Sequence, residues 1–156
     1  MDQDAIIQYI AETFEGVDVL KPELRGGPAL AAGDTFFIYD PERTSDKQHS
    51  FPFATIVTKD YEGDDASNLN RPSVFRLNVG VSKQTFQSLF GSPETESNYD
   101  FAALDRLLPH PAYSQYFWVS VLNPSEQTFE TIKPLLAEAY GISLSRHQRS
   151  ERVSDS

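Results

Sequence analysis

The chain has 156 residues, no cysteine, 39% apolar and 12% aromatic residues, and a formal net charge of −10. That length suits about one domain, which buries roughly two thirds of the surface its unfolded form exposes. Lack of Cys excludes disulfides, thiolate zinc sites and cysteine nucleophiles, and no apolar run approaches the ~18 residues that span a bilayer. The N-terminus MDQDAIIQYI starts acidic and lacks the basic flank of a signal peptide, so a cytoplasmic protein is expected. Nucleic-acid binders gather Lys and Arg into a patch that neutralises phosphate. Here the 13 basic residues are scattered, apart from a weak excess in the tail around Arg146, His147, Arg149 and Arg152.

Asp4 reads as the N-cap of a first helix, with Ile6, Ile7, Ile10 and Phe14 along one stripe and Gly16 ending it. Val17 to Leu20 is a short strand, and the Pro- and Gly-rich stretch 21–33 is a loop. The Gly26-Gly27 pair lacks the Gly-Lys-Ser/Thr of a phosphate loop. Thr35 to Tyr39 (TFFIY) and Phe53 to Thr58 (FATIVT) are aromatic and β-branched strands, separated by a polar loop. Asp60, Glu62, Asp64 and Asp65 then crowd together. Calcium loops need a Gly sixth and a Glu twelfth, whereas from Asp60 the Gly falls fourth and the twelfth residue is Arg71, so this reads as a solvated acidic loop.

Val74 to Val81 (VFRLNVGV) alternates with a period of two. Phe75, Leu77, Val79 and Val81 share one face, and Val74, Arg76, Asn78 and Gly80 the other. Ser82 caps a second helix with Phe86, Leu89 and Phe90 turned inward and Gly91 closing it. Phe101, Leu104, Leu107 and Leu108 are spaced for a short helix that stops before Pro109. In PHPAY two prolines bracket His110 and stiffen the turn. Phe117 to Leu122 (FWVSVL) is the last strand. Asn123, Pro124 and Glu126 match an N-cap, a first-turn proline and a capping-box acid, followed by Phe129, Ile132, Leu136 and Tyr140 at helical spacing. Pro134 inside that helix predicts a kink or a break. Residues 1–143 are expected to form a single α+β domain and 144–156 a flexible C-terminal tail.

This order predicts an α+β two-layer sandwich: an antiparallel sheet of about five strands with helices packed on one face. The opposite face is expected to stay uncovered and available for a ligand, a partner or a second copy. Monomer and homodimer are both open.

The block from His110 to Ile142 resembles the C-terminal signature of the MmcQ/YjbR-like proteins, in which a Trp-bearing strand follows a Pro- and His-containing turn. A short Ser/Asp-rich cap then leads into a helix ending in a Tyr step. Trp118, Val119, Val121, Ser125, Leu136, Ala139 and Tyr140 carry the likeness. The segments FPFATIVT, FRLN-GVSK-TF and HP-Y are similar to a bacterial subgroup of unknown function. The resemblance implies a CyaY-like (frataxin-like) fold. It also implies DNA binding through wing hairpins, but the longest candidate hairpin loop is acidic here.

Among the three histidines only His110 looks placed for function, as a general acid/base or a ligand contact, against a packed turn histidine as the simpler alternative. Asp105 and Ser114 flank it without a nucleophile elbow, and one placed His without Cys makes no metal site. Arg76 either pairs with a neighbouring carboxylate at the sheet surface or meets an anion. If Arg76 and Asn78 face the same space as His110, Tyr113 and Trp118, the group forms a pocket for a small anionic or aromatic ligand. The expectation is a ligand- or partner-binding module without cofactor, with an enzyme or sensor for an anionic or aromatic metabolite as the alternative. Net charge disfavours nucleic acid.

Overall fold

The computed structural model describes residues 1–21, 33–42, 51–91 and 99–154. The Gly26-Gly27 pair, His49 and residues 92–98 lie outside them. The described residues hold helix α1 (Gln3–Thr13), strands β1 (Val17–Leu20), β2 (Thr35–Tyr39), β3 (Ala54–Val57) and β4 (Arg76–Gly80), and helix α2 (Lys83–Phe90). Strand β5 (Leu107–Pro109), a 3-10 turn (Ser114–Tyr116), strand β6 (Trp118–Leu122) and helix α3 (Glu126–Ser154) follow. The strands form one antiparallel sheet in the order β1-β2-β3-β4-β6-β5. This is the α+β two-layer arrangement expected, with six strands rather than five.

Period-two alternation sorts the strands onto two faces. Phe37, Ala54, Ile56, Leu77, Val79, Val119 and Val121 turn to one side and form the main core with Ile6 and Ile10 of α1, Phe86 of α2, and Phe129, Ile132 and Leu136 of α3. Each fully buried Ile, Leu or Phe there contributes about 1.5–3 kcal/mol relative to exposure, so this is the layer that holds the fold together. Leu89, expected inside, is 41% exposed, and Phe86 does the packing of α2.

The other face is not left open. Register places Val57, Arg76 and Leu122 in one row across β3, β4 and β6, and Thr55, Asn78 and Ser120 in the next. Leu69, from the segment between β3 and β4, packs with Val57 and Leu122 in a second small core, which Tyr61 and Val74 flank. Arg71 ties that segment down by donating to the backbone carbonyls of Asn68, Ser67 and Ala102. A chain segment without helix therefore roofs the rows that carry Arg76 and Asn78. The expected bare surface is corrected accordingly.

Local expectations shift at the caps. Asp2, not Asp4, caps α1 by accepting from the Ala5 N–H. Ser82 does cap α2, and the carboxylate of Glu138 on α3 accepts from both the Ser82 and the Thr85 hydroxyls. Ser125 caps α3 through the Thr128 N–H, while Asn123 holds a positive φ and uses its side chain to bind Phe75 N–H and the Ser73 carbonyl. Of the kink or break expected at Pro134 the break does not occur, and α3 continues as one helix to Ser154, past the point where the tail was expected to begin. The helix expected over 101–108 is replaced by turns and by β5. Pro109 is tolerated there because β5 is an edge strand, which needs no N–H on its outer side.

Candidate functional site

Arg76 and Asn78 project from β4 into the roofed face, as alternation requires. Arg76 is 1% exposed, and a buried guanidinium survives only if its charge and its donors are met. Its Nη1 and Nη2 reach the two carboxylate oxygens of Asp64 at 2.9 and 2.6 Å. Nη1 also donates to Ser67 Oγ at 2.9 Å, and Nε donates to Asn78 Oδ1 at 2.8 Å. Asn78 is in turn oriented by donating to Thr55 Oγ1. Asp64 is only 11% exposed, so the acidic loop is not simply solvated. One of its carboxylates is the buried counter-charge of Arg76, and another, Asp60, accepts from the Leu69 N–H to shape the roof.

His110 comes to the same place from the far side of the sheet. Its N–H donates to the Trp118 carbonyl and continues the β5–β6 ladder by one residue. The ring is 3% exposed. Nδ1 accepts from the backbone N–H groups of Ala112 and Tyr113, each at 3.0 Å, so the proline-stiffened turn closes on the imidazole itself. Nε2 lies 3.4 Å from Arg76 Nη2. Burial above all, and then the Arg76 charge, push the His110 pKa down to about 3, against the weaker opposing pull of Asp64. The ring is neutral at physiological pH. With Nδ1 occupied as an acceptor, its single proton sits on Nε2.

Tyr113 lies on His110, with ring centroids 4.8 Å apart and 40° between planes, and is 52% exposed. Tyr116 is more exposed still. Phe117 closes the 3-10 turn in a left-handed conformation (φ 66°) that costs a bulky residue about 1 kcal/mol or more. It is held there because its carbonyl accepts from the Val81 N–H and its ring packs on Phe86. That bend brings Trp118 back onto the face of Arg76 and Asn78, where its indole lies against Gly80. A Cβ on Gly80 would come within 3.0 Å of the indole ring.

Of the five residues expected to converge, Arg76, Asn78, His110 and Tyr113 form one linked group. Trp118 joins it through the His110–Trp118 backbone bond and shares the sheet face, while its ring packs on Gly80. Asp64 and Ser67 complete the group and were missed as site residues; only a run of acids separated in sequence from a strand arginine hinted at the first. Asp105 is engaged by another element. It accepts from the Ser125 N–H at the start of α3, and that bond holds its carboxyl below the usual range.

Among the described residues no group of three or more His, Asp or Glu side chains is placed to hold a metal ion, and no helix is long and apolar enough to cross a membrane. A cavity of about 460 Å³ lies elsewhere, at the start of α1 and the ends of β1 and β2, lined by residues that include Asp4, Lys21, Thr35 and Phe75.

In comparison with known proteins, residues 1–152 match the model of a family of unknown function (DUF6194). No curated protein and no solved structure matches significantly.

Proposed function

The chain belongs to the DUF6194 family, whose function is unknown, and from that premise we propose that it is a small cytoplasmic ligand-binding module. Its ligand meets the corner of the sheet where the 110–118 turn closes over Arg76. The observation that carries this reading is the convergence of a buried cation, a neutral imidazole and a half-exposed Tyr113 whose ring lies tilted against it. Tyr113 and Trp118 offer aromatic surface, and the His110–Arg76 pair supplies the orienting polar end, the mixture small-molecule sites use.

The same geometry argues against catalysis by His110. A general base works best with a pKa near the operating pH, and this imidazole is held at about 3 with Nδ1 occupied by two backbone donors. Four of the five guanidinium N–H groups are engaged by Asp64, Ser67 and Asn78. These are fixed recognition groups rather than movable proton carriers. From the MmcQ/YjbR-like resemblance the proposal keeps the sheet-and-helix frame and leaves out DNA. The loop that a wing would need to be basic carries Asp60 and Asp64, both used internally.

A thermal-shift screen of metabolites tests the reading. Ligand at a hundred times its Kd stabilises by about 2.7 kcal/mol, which in a chain of this size raises Tm by about 5–10 °C. The expected result is a hit whose shift disappears in Tyr113→Ala, a substitution at an exposed ring that leaves the core intact. No hit, or hits indifferent to Tyr113 and to Trp118→Ala, would remove the proposal.

A further inference from the structure

We infer that the cavity at the start of α1 is a second ligand site, which takes a free amino acid with an apolar side chain. It is independent of the binding reading above, because it lies on the helix-covered face of the sheet.

Strand register brings its groups together. Thr35 pairs with Ile56, and Ile56 with Leu77, so Thr35 sits on the face that builds the main core. Val19 faces Phe37 on that same side. Continuing the register by two residues sets Lys21 across from Thr35. Phe75, two residues before Leu77, ends the same face beside β4. The first turns of α1 close this end of the layer, and the space between them is about 460 Å³. Small-molecule pockets begin at about 300 Å³.

Three observations separate this space from a packing gap. Thr35 lines it and is 2% exposed, yet its hydroxyl has no hydrogen-bond partner among the described residues. Buried polar groups are ordinarily hydrogen-bonded, so this one is left for a molecule that enters. Lys21 and Asp4 line the same cavity, and neither forms a salt bridge with the other or with any described residue. Their charged ends therefore stand more than 4.0 Å apart. Ile7 and Phe75 add apolar wall that belongs to the core.

Two opposite charges that face one hollow without meeting suit a ligand with a charge at each end. The end of α1 does not ask for an anion, because Asp2 already accepts from the Ala5 N–H. The ligand carboxylate accordingly goes to the Lys21 ammonium and accepts from the Thr35 hydroxyl. The ligand ammonium donates to the Asp4 carboxylate. Its side chain covers Ile7 and Phe75. A lone anion would leave Asp4 unmet and repel it, and a lone cation would do the same to Lys21.

The test titrates the 15N-labelled full chain with L-phenylalanine, and with 3-phenylpropionate and 2-phenylethylamine, which each lack one of its charges. L-Phenylalanine is expected to bind saturably and to move the amides of Lys21, Thr35 and Phe75. Each singly charged probe should bind about tenfold more weakly or worse, the worth of one charge-assisted contact. Lys21→Gln should bring L-phenylalanine down to the level of 2-phenylethylamine, and Asp4→Asn down to that of 3-phenylpropionate. Asp4 is exposed and Lys21 half-buried, so both variants keep the core; Thr35→Val, which keeps the shape and removes the hydroxyl, should also weaken binding. Tyr113→Ala should leave it unchanged. No saturable binding, a singly charged probe as tight as L-phenylalanine, or an affinity indifferent to both charge variants would each overturn the inference. So would loss of binding in Tyr113→Ala, which would move the ligand to the corner by Arg76. A screening hit that needs Tyr113 speaks for the corner alone, and one that needs Lys21 and Asp4 for this cavity alone.

Discussion

Replacing Asp64 by Ala probes the group most directly through stability. Arg76 is 1% exposed and its carboxylate partner 11%, so the substitution strands a cation behind a roof that includes Leu69. Removing one partner of a buried pair costs about 3–5 kcal/mol, whereas exposed pairs are worth about 0–1 kcal/mol. Ser67 and Asn78 still accept from the guanidinium, and water can enter beside the lost carboxylate, so the lower end, about 3 kcal/mol, is expected. With a urea m value of about 2 kcal/mol per molar, the unfolding midpoint falls by about 1.5 M. The double variant Asp64→Leu with Arg76→Met should recover most of that loss, because the stranded charge is gone and apolar replacements of buried pairs are often neutral or better. Urea titrations of the wild type, Asp64→Ala and the double variant measure the cycle. A midpoint shift below about 0.3 M for Asp64→Ala would show that the pair behaves as a surface pair, and the buried-charge reasoning would fail.

Three further outcomes follow from other parts of the molecule. His110 has a folded pKa of about 3 against an ordinary value of 6.5, so below pH 6.5 the unfolded chain binds a proton that the native one does not. Its contribution is complete above pH 6.5 and is lost as pH falls towards 3, by about 1.4 kcal/mol per pH step; His110→Gln should flatten that part of a stability-against-pH curve, and an unchanged slope would refute it. Gly80→Ala pushes a methyl against the Trp118 indole, which should cost about 1–3 kcal/mol as overpacking and alter the indole fluorescence; unchanged emission and midpoint would contradict the contact. Ser125→Ala removes the cap of α3 and should cost about 1 kcal/mol, while Asn123→Ala acts instead by freeing the Phe75 N–H and Ser73 carbonyl. If thermal unfolding showed Asn123→Ala but not Ser125→Ala destabilising, the original placing of the cap at Asn123 would regain ground.

Much of this was legible in the residues because it depends on short-range periodicity. Alternation in VFRLNVGV put Arg76 and Asn78 on one face before any fold was known, and the two prolines marked the His110 turn as rigid. Tertiary pairing was not legible. Asp64 looked like one solvated acid among four, and nothing local says that the segment after β3 folds back over β4. Leucine spacing before Pro109 favoured a helix, but those residues are claimed by the edge of β6, where Leu107 faces Val121 and Leu108 faces Ser120. Pro134 does not end the helix: it removes one hydrogen bond, while Phe129, Ile132 and Leu136 on either side anchor α3 to the core. Ser82 was legible as the cap of α2, whereas the caps of α1 and α3 lie two residues from the expected Asp4 and Asn123, where several polar side chains compete and tertiary contacts choose among them.

Amide chemical-shift mapping with a ligand found by screening tests the central claim most directly. The account predicts that the largest changes cluster at 110–118 and 76–80, with His110 and Tyr113 foremost. Changes concentrated instead on Asp4, Lys21, Thr35 and Phe75 would assign binding to the separate cavity by α1 and contradict it.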